Sequence, residues 1–166
     1  EITIPDNVTS IGDAAFRDCE SLADVTIGNG VTSIGDNAFD GCKSLTEITI
    51  PDNVTSIGDN AFDNCSALTE ITIPNSVTSI GYYAFANCSA LTEVTIGNGV
   101  TSIDRSIFFD CPINVLYCYK INPPKLLDNP FYAVKEGATL YVPAGCSEAY
   151  KSSRWGDVFD NIIEME

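Results

Sequence analysis

The sequence predicts an α/β solenoid: a linear stack of 23-residue coils with a parallel sheet on its concave side, short helical turns on its convex side and a C-terminal cap. Three observations predict it. Five copies of a pattern close to E-I-T-I-P-D-N-V-T-S-I-G-D-N-A-F-D-G-C-x-S-L-T start at Glu1, Asp24, Glu47, Glu70 and Glu93 without insertion or deletion. A fixed period of this size is the mark of stacked supersecondary units, none of which can bury its apolar face alone. The large apolar residues then fall into columns: Ile4, Ile27, Ile50, Ile73 and Ile96; Val8, Val31, Val54, Val77 and Val100; Ile11, Ile34, Ile57, Ile80 and Ile103; Phe16, Phe39, Phe62, Phe85 and Phe108. Finally, each unit passes through a period-two run, a turn and a helix-spaced run in the same order.

Each unit opens on a strand. In Thr46-Glu47-Ile48-Thr49-Ile50 the isoleucines face inward, and Glu47 and Thr49 face outward. Pro51-Asp52-Asn53 turns the chain, a job given to Gly28-Asn29-Gly30 and Gly97-Asn98-Gly99 in other units. Val54 and Ile57 point inward from a second short extended segment. Gly58-Asp59 then leads into Asn60–Cys65, where Ala61, Phe62 and Cys65 have the spacing of about one helical turn, with Asp59 placed to cap its first amides.

Extending the 23-residue count, Tyr117, Tyr119, Leu126 and Phe131 take the columns of Ile2, Ile4, Ile11 and Phe16, and Leu140, Val142 and Pro143 take those of Ile2, Ile4 and Pro5. Residues 1–138 are therefore expected to form the stack, with regular coils over 1–115 and a degenerate one over 116–138. Residues 139–166 supply a last strand and the cap. In that cap residues 146–153 form a short helix offering Ala149 and Tyr150 to the stack, and Trp155, Val158, Phe159, Ile162 and Ile163 add apolar cover, since an open terminal coil exposes both core and backbone.

The string I-P-x-x-V-T-S-I-G-x-x-A-F-x-x-C-x-x-L-T-x-I, as in Ile50 to Ile71, resembles the BspA-like subclass of leucine-rich repeat over residues 1–115. The tail, Thr139 to Gly145 with Glu148-Ala149-Tyr150-Lys151, Trp155 and Phe159 to Glu164, is similar to the closing segment of such proteins from anaerobic gut and oral bacteria. Residues 116–138 depart from the pattern: Pro123-Pro124 replaces the valine turn and Pro130 the alanine column. The resemblance implies a leucine-rich-repeat-like fold and a secreted or surface-attached binding protein, extracellular or cell-surface in location.

Composition narrows the function classes. The formal net charge is −15, and residues 1–92 carry thirteen acidic residues against only Arg17 and Lys43. Nucleic acids and anionic membrane surfaces, which need Lys and Arg, are excluded as partners. No apolar run approaches a membrane span, so this segment inserts into no bilayer. Glu1 opens in mid-pattern, as a cut from a longer chain would, which leaves any export signal or anchor upstream.

Catalysis has little to stand on. There is no histidine, hence no Ser-His or Cys-His pair, and no spacing sets a lysine beside a nucleophile. Carboxylates recur in every coil, a poor way to build one active site. Five of the seven cysteines, Cys19, Cys42, Cys65, Cys88 and Cys111, share one column. They read as reduced core thiols donating weakly to a loop carbonyl, because parallel side-chain vectors on identical rungs disfavour a disulfide. With no Cys-x-x-Cys motif, no metal or other cofactor is expected. Cys118 is expected in the outward position of Thr95, beside Tyr141, as an exposed thiol.

The candidate ligand-binding residues are the outward columns Glu47, Glu70 and Glu93, preceded by Glu1 and Asp24, with the hydroxyl row Thr49, Thr72 and Thr95, to which Thr3 and Thr26 belong. Stacked carboxylates suit a basic protein patch or divalent cations, or are simply a solvated face copied by duplication. Tyr82 and Tyr83 replace the Asp59-Asn60 pair of the preceding coil and are candidate anchors, or filling for a convex groove. Single threonine columns flanked by acids are not the flat paired array that ice would need. Asn7-Val8-Thr9, Asn53-Val54-Thr55, Asn64-Cys65-Ser66 and Asn87-Cys88-Ser89 fit the glycosylation pattern but follow from turn chemistry. Two functions remain: a non-catalytic adhesion or binding module recognising an extracellular protein or glycan through the concave face, and a rigid spacer presenting other domains. Near-identical outward columns favour the spacer, whereas Tyr82, Tyr83, Arg105 and the aromatic sixth coil favour recognition.

Overall fold

The computed structural model describes residues 1–166 apart from Arg105, Asn129 and Tyr132, so the Arg105 departure lies outside the described residues. The chain is a parallel-strand β-solenoid of about 7 turns of ~23 residues. Its strands are β1 (Ile2–Ile4), β2 (Ser10–Ile11), β3 (Val25–Ile27), β4 (Ser33–Ile34), β5 (Ser56–Ile57), β6 (Glu70–Ile73), β7 (Ser79–Ile80), β8 (Glu93–Ile96), β9 (Ser102–Asp104), β10 (Val115–Cys118), β11 (Lys125–Leu127), β12 (Thr139–Val142) and β13 (Asn161–Glu164). One face of the solenoid carries the ladders β1-β3 and β6-β8-β10-β12-β13, the next carries β2-β4-β5-β7 and β9-β11, and every pairing is parallel. The third coil's Glu47–Ile50 keeps the inward-outward alternation, with Ile48 and Ile50 buried, but is not a strand.

Copies of one residue stack on one another through the core. Phe16, Phe39, Phe62 and Phe85 lie ring on ring with centroids 5.1–5.2 Å apart, and Phe108 and Phe131 continue the file at 5.7 and 5.8 Å. Phe39, Phe62 and Phe85 are wholly buried, each contributing about 1.5–3 kcal/mol by removal from water. The cysteine column behaves as expected: Cys42, Cys65, Cys88 and Cys111 donate from Sγ to the carbonyls of Phe16, Phe39, Phe62 and Phe85 at 2.9–3.3 Å, and all seven thiols are free.

Among the described residues the expected helical turns are not present. The segment over 59–65 is a series of turns, because Asn60 and Asn64 have φ of 54° and 57°, and two left-handed residues four apart interrupt a right-handed helix. The same columns hold Asn37 and Gly41, and Asn87 and Asp110, all at positive φ. This geometry frees alternate amides for the next coil: Asn60, Phe62 and Asn64 donate to the carbonyls of Tyr82, Ala84 and Ala86 at 2.8, 2.7 and 3.0 Å, while Asp63 and Cys65 donate back to Asn60 and Phe62. Asp59 likewise does not cap its own coil. Its Oδ1 accepts from the Tyr82 amide at 2.7 Å, as Asp13 accepts from Asp36 and Asp36 from Asp59.

The sixth coil is out of the expected phase by one residue. Leu116 pairs with Val94, Tyr117 with Thr95 and Cys118 with Ile96, a step of 22 residues, whereas Leu126 returns to a step of 23 opposite Ile103. A residue missing after Cys111 is restored before Lys125. Since strand side chains alternate, the slip exchanges the two faces. Tyr117 and Tyr119 therefore turn outward instead of filling the Ile2 and Ile4 columns, Tyr119 being 50% exposed. Cys118, expected outward, is buried and accepts a hydrogen bond from the Tyr150 hydroxyl at 3.1 Å. Leu126, Phe131, Leu140 and Val142 are buried in the columns assigned to them.

The closing segment holds α1 (Ser147–Lys151), which buries Tyr150 but leaves Ala149 exposed. Trp155 and Phe159 pack on Phe131 at 5.4 and 5.5 Å, and Trp155 Nε1 donates to the Pro124 carbonyl at 2.8 Å. Residues 161–164 form β13 against β12, so Ile163 faces solvent, 46% exposed, instead of covering the core.

Candidate functional site

The strand face carrying β6, β8, β10 and β12 places the outward columns in line. Glu70 lies opposite Glu93 and Thr72 opposite Thr95. Neighbouring rungs of such a ladder are about 4.8 Å apart, so these carboxylates repel one another. Among the described residues, Asp24, Glu47, Glu70 and Glu93 have no ion-pair partner; Arg17 and Lys43 are engaged elsewhere, with Asp40 at 3.2 Å and Glu20 at 2.8 Å. Carboxylates left without cations on an exposed face set a negative potential along the stack.

This face is hollow. A groove of about 750 Å³ lies over its second to fifth coils, lined by Thr26, Thr49, Thr72 and Thr95 and by Asp24, Glu47, Asp52, Glu70 and Asn75, with Tyr119 at its C-terminal end. Of the expected site residues the structure brings together Glu47, Thr49, Glu70, Thr72 and Thr95 in the groove. Glu93 continues the carboxylate row in register with Glu70. Tyr82 and Tyr83 do not join them. They sit in the turn preceding Phe85, 61% and 43% exposed, and Tyr83 stands edge-on to Phe109 with centroids 6.2 Å apart. Tyr83 holds φ of 57°, a conformation that suits the asparagines of its column and strains a bulky side chain.

Sequence reasoning named the aromatic sixth coil as favouring recognition but assigned Tyr117 and Tyr119 to core columns, and so missed that they share the outward face with Tyr141. Above Thr95 the outward row becomes Tyr117 and then Tyr141, whose rings stack at 4.8 Å and 15°. The Tyr117 phenol is pushed above its ordinary pKa, first by desolvation and then by the charge of Glu93 and by Tyr141 and Tyr119 around it. The signal was in the sequence, since aromatic residues at every second position mark a strand face, but the one-residue slip hid which face it was.

Chemically the arrangement offers hydroxyls, carboxylates and flat rings. Among the described residues no group of three His, Cys, Asp or Glu side chains converges to hold a metal ion. No described helix is long and apolar enough to cross a membrane.

Comparison with known proteins places this architecture. The chain is similar to the crystal structure of a leucine-rich repeat protein of T. pallidum, with 28% identity and a TM-score of 0.63 over 82% of this chain and 65% of that one. It also matches the pneumococcal vaccine antigen PcpA, at 19% identity and a TM-score of 0.76 over 99% of this chain and 41% of that one. A leucine-rich repeat protein from Bacteroides ovatus matches at 19% identity and a TM-score of 0.55 over 98% of this chain and 60% of that one. At 19% identity the last two show the fold alone, and the chain spans between 41% and 65% of the length of these structures. No curated protein sequence matches the chain. Residues 1–114 match the family model described as a BspA type leucine rich repeat region, in 6 copies, and the chain belongs to that family.

Proposed function

We propose that the protein is a non-catalytic binding module, secreted or displayed at a bacterial cell surface, that recognises an extracellular protein or glycan through the grooved strand face. The observation that carries this reading is the groove itself: a cavity of about 750 Å³ lined by carboxylates without a neighbouring Lys or Arg and by a row of hydroxyls. Solenoids build extended recognition surfaces from positions that the core leaves free to vary. Carboxylates without resident cations favour a partner that brings hydrogen-bond donors. The family assignment and the lack of histidine support a role without catalysis.

The test is a binding profile against mucosal and extracellular-matrix proteins and a glycan array. A Glu47→Ala, Glu70→Ala, Glu93→Ala triple variant should lose binding while staying folded, with an unfolding temperature no lower than the parent's. Retention of the full profile by this variant and by a Tyr82→Ala, Tyr83→Ala variant would refute recognition by either surface. The spacer reading, favoured by the repetition of the outward columns in coils one to five, would then stand.

A further inference from the structure

We infer that the surface bordering the C-terminal end of the groove is a sugar-stacking subsite, built by Tyr117 and Tyr119 with Thr95, which takes one ring of a neutral oligosaccharide. The inference rests on the strand-face reading above and gives it a ligand class. Three observations carry it.

The outward row is threonine in five successive rungs, Thr3, Thr26, Thr49, Thr72 and Thr95, and tyrosine in the next two, Tyr117 and Tyr141. Copying of the repeat accounts for the threonines and not for the tyrosines. Second, the two rings stack along the solenoid, so Tyr141 covers one face of Tyr117. The rung on the other side bears Thr95, a side chain too short to cover a tyrosine ring as Tyr141 does. Third, Tyr117 lies just beyond the groove, between two of its lining residues: Thr95, its partner on the preceding rung, and the half-exposed Tyr119 two residues along its own strand.

A flat ring lying on Tyr117 above Thr95 would extend the stack by one member. The polarity around that place says what kind of ring. Thr95 and Thr72 offer hydroxyls, and Glu93, two residues before Thr95 on β8 and opposite Val115, puts a carboxylate on the same outward side, so a ring with an apolar face and hydroxyls around its edge matches on both counts. A pyranose has that form: its axial C–H bonds lie on the aromatic face, and adjacent hydroxyls donate to a carboxylate. Sialylated or sulfated sugars are disfavoured by the unpaired acids and the net charge of −15. A basic peptide would be drawn to the whole carboxylate row, and would give no reason for aromatic rings at one end of it facing along the stack.

The experiment uses the full chain and an array of cello-, chito-, manno- and galacto-oligosaccharides beside sialylated and sulfated glycans, with an oligolysine peptide as the cationic probe. The strongest binder is then titrated by calorimetry. Neutral oligosaccharides should bind, and Tyr117→Thr, which installs the repeat's own residue, should weaken the best of them by about tenfold, the scale of one aromatic stacking contact. The variant should still unfold cooperatively, which separates loss of the subsite from loss of the fold. No neutral glycan bound, binding indifferent to Tyr117→Thr, or binding confined to anionic glycans would each overturn the subsite. Capture of oligolysine through Glu47, Glu70 and Glu93 with no sugar bound would overturn it too, yet leave the recognition role intact. If neither probe responds to either set of substitutions, both readings fail together.

Discussion

Glycine and aspartate meet at each seam between coils, and their contact shows how little room a coil leaves its neighbour. A β-carbon on Gly58 would lie 2.5 Å from Asp36 Oδ1 and 2.6 Å from the Asp36 amide nitrogen, inside the same pair of residues that exchange the Asp59-to-Asp36 hydrogen bond. At the equivalent Gly12 nothing lies within 4 Å. Gly58→Ala is therefore expected to cost about 1–3 kcal/mol, because backbone must move, while Gly12→Ala stays within about 0.5 kcal/mol of the parent. Chemical denaturation of the two variants measures both, and equal costs would contradict the seam geometry. Side-chain chemistry at the neighbouring columns follows the same rule of service to the adjacent coil. The Cys42 thiol, pushed up to about 11 first by desolvation, stays protonated and donates to the Phe16 carbonyl of the coil before it.

At the level of elements, the closing segment hangs on a carboxylate. Glu164 Oε1, at the end of β13, accepts from the Ser147 amide at 3.0 Å and the Ser147 hydroxyl at 2.6 Å, joining β13 to the start of α1. These bonds, with one from the Gly145 amide, depress its pKa from 4.5 to about 2, the Ser147 side chain first. A folded-state pKa below the unfolded one means that the stabilisation is complete above pH 4.5 and disappears as the pH falls toward 2. The protection factor of the Ser147 amide, its exchange rate relative to the intrinsic rate at each pH, should fall over that window, and Glu164→Gln should remove that pH dependence by removing the charge. An amide equally protected at both ends of the window would count against the link.

Elements were legible to different degrees, for physical reasons. The strand faces of the regular coils were readable, since Ile71 and Ile73 alternate with Glu70 and Thr72 and burial follows the alternation. The convex turns were misread as helix because Ala61, Phe62 and Cys65 have helical spacing. The recurrent Asn, Asp and Gly at the columns of Asn60 and Asn64 carried the contrary signal, left-handed backbone, and hence amides free to bond the next coil. Phase in the sixth coil could not be counted, because a loss and a gain of one residue cancel in the distance from Phe108 to Phe131 and leave those columns aligned. The Glu and Thr columns were legible as outward-facing, but Asp52 was read only as part of a turn, and Tyr117, Tyr119 and Tyr141 were not recognised as a shared outward face.

Across the whole molecule, the charge is one-sided. The net charge is −15, and among the described residues the outward acids of the groove have no cation to offset them. Their mutual repulsion acts over a Debye length of about 30 Å at about 0.01 M salt and about 8 Å at about 0.15 M. Raising NaCl between those limits should therefore raise Tm, which differential scanning calorimetry reads directly; a flat or falling Tm would mean that repulsion along the row is immaterial to the fold. The compensated slip of the sixth coil has a genetic consequence as well. Losing a single codon inverts the wet and dry sides of a strand until another codon is gained downstream, whereas duplicating or deleting one complete unit leaves every surviving junction as it was. Solenoid length can thus drift through evolution in quanta of 23, while smaller indels persist only in pairs that cancel before the next phenylalanine.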